Sequence, residues 1–304
     1  MKSTKEILQK VGNNSSVSLK DVIQNDDYYS KSKSLLEVVA RHDIRQEHGK
    51  VDASETKLGP IKSDLIRSNN NEFIQDFSGG KIKFLSGNLE SQIVYQTTIR
   101  FVGFKAFGIT SGPGSDEPYF IISVYSPDNK KNITTEKIPE GDPFEEVDKG
   151  TERAYVKAIW QGPPTRLQIF TVAVENDLGD PDDVKKTVKA ELDKHIDVAS
   201  AAGTVVAAGF GLPIPEGLLR DVLGGITLGL STFIGNLVGD IPIGTDSLPL
   251  KGIDMEKAHE TPFPTNTIAG NTYTHETQLM SLSGASYKAY FEVVTKKIIE
   301  SPGQ

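Results

Sequence analysis

The sequence predicts a mainly β fold: an antiparallel β-sandwich interrupted by an apolar helical stretch and preceded by a polar N-terminal arm. Three observations predict it. From residue 91 onward, short runs rich in β-branched and aromatic residues recur between turn signals. A block at 181–239 changes to a helical period. Residues 1–90 are near neutral and rich in Ser and Asn, and the chain's net charge of −8 arises in the remainder.

Composition bounds the rest. The chain has 304 residues, 37% hydrophobic and 24% charged, enough apolar material for a real core. The acidic balance excludes a sequence-independent nucleic-acid binder, which needs a basic field to release counterions. The absence of cysteine excludes disulfide frameworks, thiolate nucleophiles and Cys-ligated metal sites. The first sixteen residues hold no apolar core of the length a secretory signal needs, so export by the general route is not expected. Localisation stays open between the cytoplasm and a non-classical secretion route.

Taken in order, the arm 1–90 offers one helix at Ser34–His42, where Leu35, Leu36, Val39 and Ala40 share a face. The rest of the arm reads as weakly structured. The domain proper, 91–299, opens with a strand at Gln92–Phe107. A second strand at Tyr119–Tyr125 is closed by the turn Pro127-Asp128-Asn129. Arg153–Trp160 is a third, ended by Gly162-Pro163-Pro164, with Trp160 a core aromatic at its end. Arg166–Val174 is a fourth and Ser286–Val294 the last. Strands at this spacing predict a sandwich rather than a parallel sheet.

The interruption begins at Asp180, a good N-cap, followed by Pro181 at the first helical position and by Asp182 and Asp183 in the first turn. Val184, Val188, Leu192 and Ile196 then recur every four residues. A second helix fits 216–238 with a wide apolar stripe that includes Leu223, Phe233 and Ile234, so the insertion is expected to be a helical hairpin.

The chemistry concentrates in acidic loops. Five acids lie within nine residues at 175–183, with no base among them. Carboxylates this close repel one another unless they are solvated, cap a helix or hold a cation. Asp180, Asp182 and Asp183 are accounted for by the helix start. Calcium, which takes six to eight oxygen ligands from flexible loops, is the natural cation for the others. The spacing is not that of an EF-hand.

Three segments together resemble the C2 domain pattern: Gly114-Ser115-Asp116-Glu117-Pro118-Tyr119, Glu175-Asn176-Asp177, and Gly239-Asp240-Ile241-Pro242-Ile243-Gly244 before Ser247-Leu248-Pro249-Leu250. The resemblance covers about residues 91–297. It implies an eight-stranded antiparallel sandwich whose apical loops bind calcium and dock on phospholipid. Carried over residue by residue, it gives Asp116, Glu117, Glu175, Asp177 and Asp240 as metal-ligand candidates. The pattern departs from the family at Ser111, where a second loop acid is usual, and at Glu175, which replaces an Asp. About 60 residues also separate Asp177 from Asp240 where the family has a handful.

The insertion is the second feature. Residues 198–211 and 223–239 are apolar and dense in Gly, like segments that insert into membranes. Phe210, Leu212, Leu223, Phe233 and Ile234 are the candidate membrane or partner contacts. The plainer expectation is a buried hairpin covering one open face of the sandwich.

Catalytic patterns are missing: no G-x-S-x-G, no H-E-x-x-H and no Walker loop occurs, and the five histidines are scattered. The expectation is therefore a non-enzymatic binding module, engaging membrane lipid or a protein partner with calcium as the cofactor it implies. The alternatives are a toxin-like or pore-associated protein using 198–239, and a structural or assembly subunit that forms homo-oligomers.

Overall fold

The computed structural model describes residues 35–55, 58–68, 72–85, 88–111, 114–126, 129–177, 179–201, 240–282 and 284–300. The chain is mostly β and divides into two compact units, Met1–Gln96 with Lys297–Gln304, and Thr97–Lys296.

The first unit contains helix α1 (Leu35–Glu55), strands β1 (Ile66–Arg67), β2 (Glu72–Phe77) and β3 (Gly80–Leu85), and the start of β4 (Asn88–Gly108). β2 and β3 each bury every second residue, the signature of a sheet covered on one face. Phe73, Phe77, Ile82, Phe84 and Ile93 supply that face, and Ala40 and Ile44 of α1, one turn apart, pack on it. Arg41 is buried beside them; its guanidinium donates to Asp64 at 2.8 Å and Glu37 at 3.1 Å. The expected helix at 34–42 is thus present but runs to Glu55. The strands at 66–85 are an addition to the arm as read from sequence.

The second unit contains the rest of β4 together with β5 (Pro118–Ser126), β6 (Asn129–Ile138), β7 (Glu152–Gly162), β8 (Leu167–Glu175), helix α2 (Pro181–Ala201), β9 (Ile241–Leu250) and helix α3 (Gly252–Lys257). The short strands β10 (Asn266–Ile268), β11 (Asn271–Tyr273), β12 (His275–Glu276) and β13 (Met280–Leu282) lead to β14 (Ala285–Glu300). Within this unit β7 and β14 pair with β4, and β12 and β13 pair with β14. A separate four-stranded antiparallel sheet runs β6-β5-β8-β9.

One core joins the two sets of strands. Phe101, Phe104, Tyr287 and Phe291 come from β4 and β14, and Phe120, Ile122, Leu167 and Ile169 from β5 and β8; Trp160 is also in this core. The rings of Phe104 and Phe120 lie 5.1 Å apart. β4 bends where its pairing with β7 slips between Phe101 and Gly103. A side chain at Gly103 would meet the Arg153 carbonyl at 2.3 Å, so this bulge needs glycine.

β5 and β8 are buried along their whole length because both faces are covered. Phe120, Ile122 and Val124 of β5 and Leu167, Ile169 and Ala173 of β8 face the core, and Tyr119, Ile121, Tyr125, Phe170, Val172 and Val174 face α2. Val184, Val188 and Leu192 of α2, spaced by one turn, close that second layer. The helix starts as its sequence directs: the Asp180 carboxylate accepts the Asp182 N–H at 2.9 Å, and Pro181 is the first helical residue. The outer strands carry the polar and proline residues. β6 reads NKKNITTEKI, and β9 holds Pro242 and Pro249 where no further ladder bond is required.

Candidate functional site

Strand register brings the acidic loops together. In the four-stranded sheet Pro118 pairs with Glu175, and Glu175 pairs with Ile241. The loop before β5, the loop after β8 and the residue before β9 therefore meet at one end of that sheet. All five ligand candidates lie there, in three different settings.

Asp116 is buried, with 2% of its surface exposed. Its backbone bridges Val147 through two hydrogen bonds. One carboxylate oxygen accepts the Thr110 N–H at 3.0 Å and the Thr110 hydroxyl at 2.7 Å, and the other accepts the Tyr287 hydroxyl at 2.7 Å. Asp240 is nearly as enclosed, at 5%. Its Oδ1 accepts the Gly179 N–H at 2.7 Å and the Asp177 N–H at 3.2 Å, and its Oδ2 accepts the Tyr119 hydroxyl at 2.7 Å. A Cβ at Gly179 would come within 2.6 Å of that carboxylate, so the turn closes around it only with glycine. Burial first, and then the bond to its carboxylate partner, hold the Tyr119 and Tyr287 hydroxyls well above the usual phenol range. Both tyrosines remain donors at any physiological pH. Asp116 and Asp240 thus fasten the loops to the strands below.

Glu175 sits between them, 8% exposed. Both carboxylate oxygens accept the same Glu117 N–H, at 2.9 Å each. Burial pushes its pKa up to about 7 against the pull of that N–H, with further upward pressure from Asp116, Glu117 and Asp177. Glu117 and Asp177 are exposed. The 175–177 and 114–117 loops are also tied by the Asn176 N–H, which donates to the Glu117 carbonyl at 3.1 Å. Among the described residues, no lysine or arginine pairs with Glu117, Glu175 or Asp177.

The arrangement is three buried, hydrogen-bonded carboxyls, Asp116, Asp240 and Glu175, beside two exposed ones, Glu117 and Asp177. Among the described residues no group of three or more His, Asp or Glu side chains is arranged to hold a metal ion as it stands. Ser111, at the position of the missing loop acid, is exposed. The candidate membrane contacts Phe210, Leu212, Leu223, Phe233 and Ile234, and the second expected helix at 216–238, lie outside the described residues. Among the described residues no helix is long and apolar enough to cross a membrane.

Sequence reasoning named the five acids but not their partners Tyr119, Tyr287 and Thr110. A signal was present: Tyr119 and Tyr287 lie within strands read as core, and a buried tyrosine hydroxyl must find an acceptor. Comparison with known proteins gives no relative: no family model, no curated protein and no solved structure matches this chain.

Proposed function

We propose that this chain is a non-enzymatic binding module that associates with membranes in a calcium-dependent way through its acidic loop end, on a C2-like β-sandwich. The observation that carries the reading is the meeting of Glu117, Glu175 and Asp177 at one sheet end without a basic partner among the described residues. Like charges held this close cost stability, and a divalent cation converts that repulsion into attraction. Calcium suits oxygen ligands on loops and tolerates irregular geometry. Glu117 and Asp177 are exposed, so their side chains can change rotamer without disturbing the core. Asp116 and Asp240 serve in this reading as supports, because their oxygens are already engaged. Lipid phosphate then completes the coordination of the ion. The sandwich part of the proposal is supported by the single interior to which both sets of strands contribute.

Liposome co-sedimentation tests it. Wild type and a Glu117→Gln/Asp177→Asn variant are each mixed with phosphatidylserine vesicles, in calcium and in chelator. Both substitutions are at exposed positions, so the variant is expected to fold. The expected result is pelleting of the wild type in calcium alone, weakened at least tenfold in the variant. Equal pelleting in chelator overturns the calcium reading and moves binding to the apolar 198–239 stretch, the toxin-like alternative. No pelleting in either condition overturns the membrane reading and leaves a protein partner or self-association.

A further inference from the structure

We draw no further inference here: the strongest candidate, the carboxyl cluster of Glu117, Glu175 and Asp177 at the loop end of the four-stranded sheet, belongs to the site already described and has beside it no second, independent feature that identifies another ligand.

Discussion

Glu175→Gln is the most informative single change. In the unfolded chain this carboxyl ionises near 4.5, and in the folded protein burial and the neighbouring acids push its pKa up to about 7. Between those values the folded state holds a proton that the unfolded state has released. Stability therefore falls as pH rises through that window and levels off above it. The two values set a ceiling of about 3 kcal/mol on the loss, at 1.36 kcal/mol per pH unit. Glutamine keeps a carbonyl oxygen for the Glu117 N–H and removes the charge. The variant is thus expected to match the wild type at pH 4.5 and to exceed it at pH 8, by about 1–3 kcal/mol. In a chain of this length that is a Tm rise of about 2–5 °C. Urea unfolding followed by tryptophan fluorescence from Trp160, at several pH values, reads the difference directly. Millimolar calcium at pH 8 is expected to stabilise the wild type and to leave the variant less affected, since the ion replaces the proton. A difference between the two proteins that does not change with pH would refute the reasoning, because it would mean that Glu175 binds its proton equally well in the folded and unfolded states.

Other changes probe the scaffold. Tyr287→Phe removes a donor from the buried Asp116 carboxylate and is expected to cost about 1–3 kcal/mol, measured by the same unfolding assay. Gly179→Ala forces a methyl group against the Asp240 carboxylate and is expected to cost about 1–3 kcal/mol. Gly141→Ala, where an added Cβ meets nothing, is the control and stays within about 0.5 kcal/mol. Leu192→Ala cuts into the layer between α2 and the four-stranded sheet; a loss of about 2–5 kcal/mol is expected, and a neutral result would mean that the helix does not rest on the sheet.

Much of the second unit was legible because its central strands are dense in apolar and aromatic residues. β5 and β8 are buried on both faces, so apolar residues dominate both runs, broken by Ser123 in one and by Gln168 and Thr171 in the other. The start of α2 was equally plain, since Asp180 and Pro181 cap it locally. The edge strands were hidden for the opposite reason. β6 and β9 lie at the margins of the sheet, where Lys, Asn and Pro blunt further pairing and erase the propensity signal. The β2–β3 hairpin did carry a signal, two six-residue alternating runs across Ser78-Gly79, but it lay within a segment whose overall composition reads as polar. The five acids could be picked out one by one. Their division into three buried, hydrogen-bonded carboxyls and two exposed ones depends on burial, and burial is set by how the strands stack.

That division is the physical basis for reading the loop end as functional. Asp116 accepts from Thr110 and Tyr287 before β5, and Asp240 accepts from Asp177, Gly179 and Tyr119 after β8, so both acids hold their loops to the strands. Asparagine in their place would offer a carbonyl acceptor at no charge. Glu117 and Asp177 are different. Among the described residues the Glu117 side chain has only a 3.5 Å approach from the Asn176 amide, and the Asp177 carboxylate accepts no hydrogen bond. Both raise the cost of ionising the buried Glu175 between them. Burial is the largest cause of that cost and Asp116 adds to it, so neutral residues at 117 and 177 would relieve only the part that these two acids supply. Local features that lower stability without a structural return are expected where a protein binds something. In the proposed reading, a bound cation turns this cost into a gain.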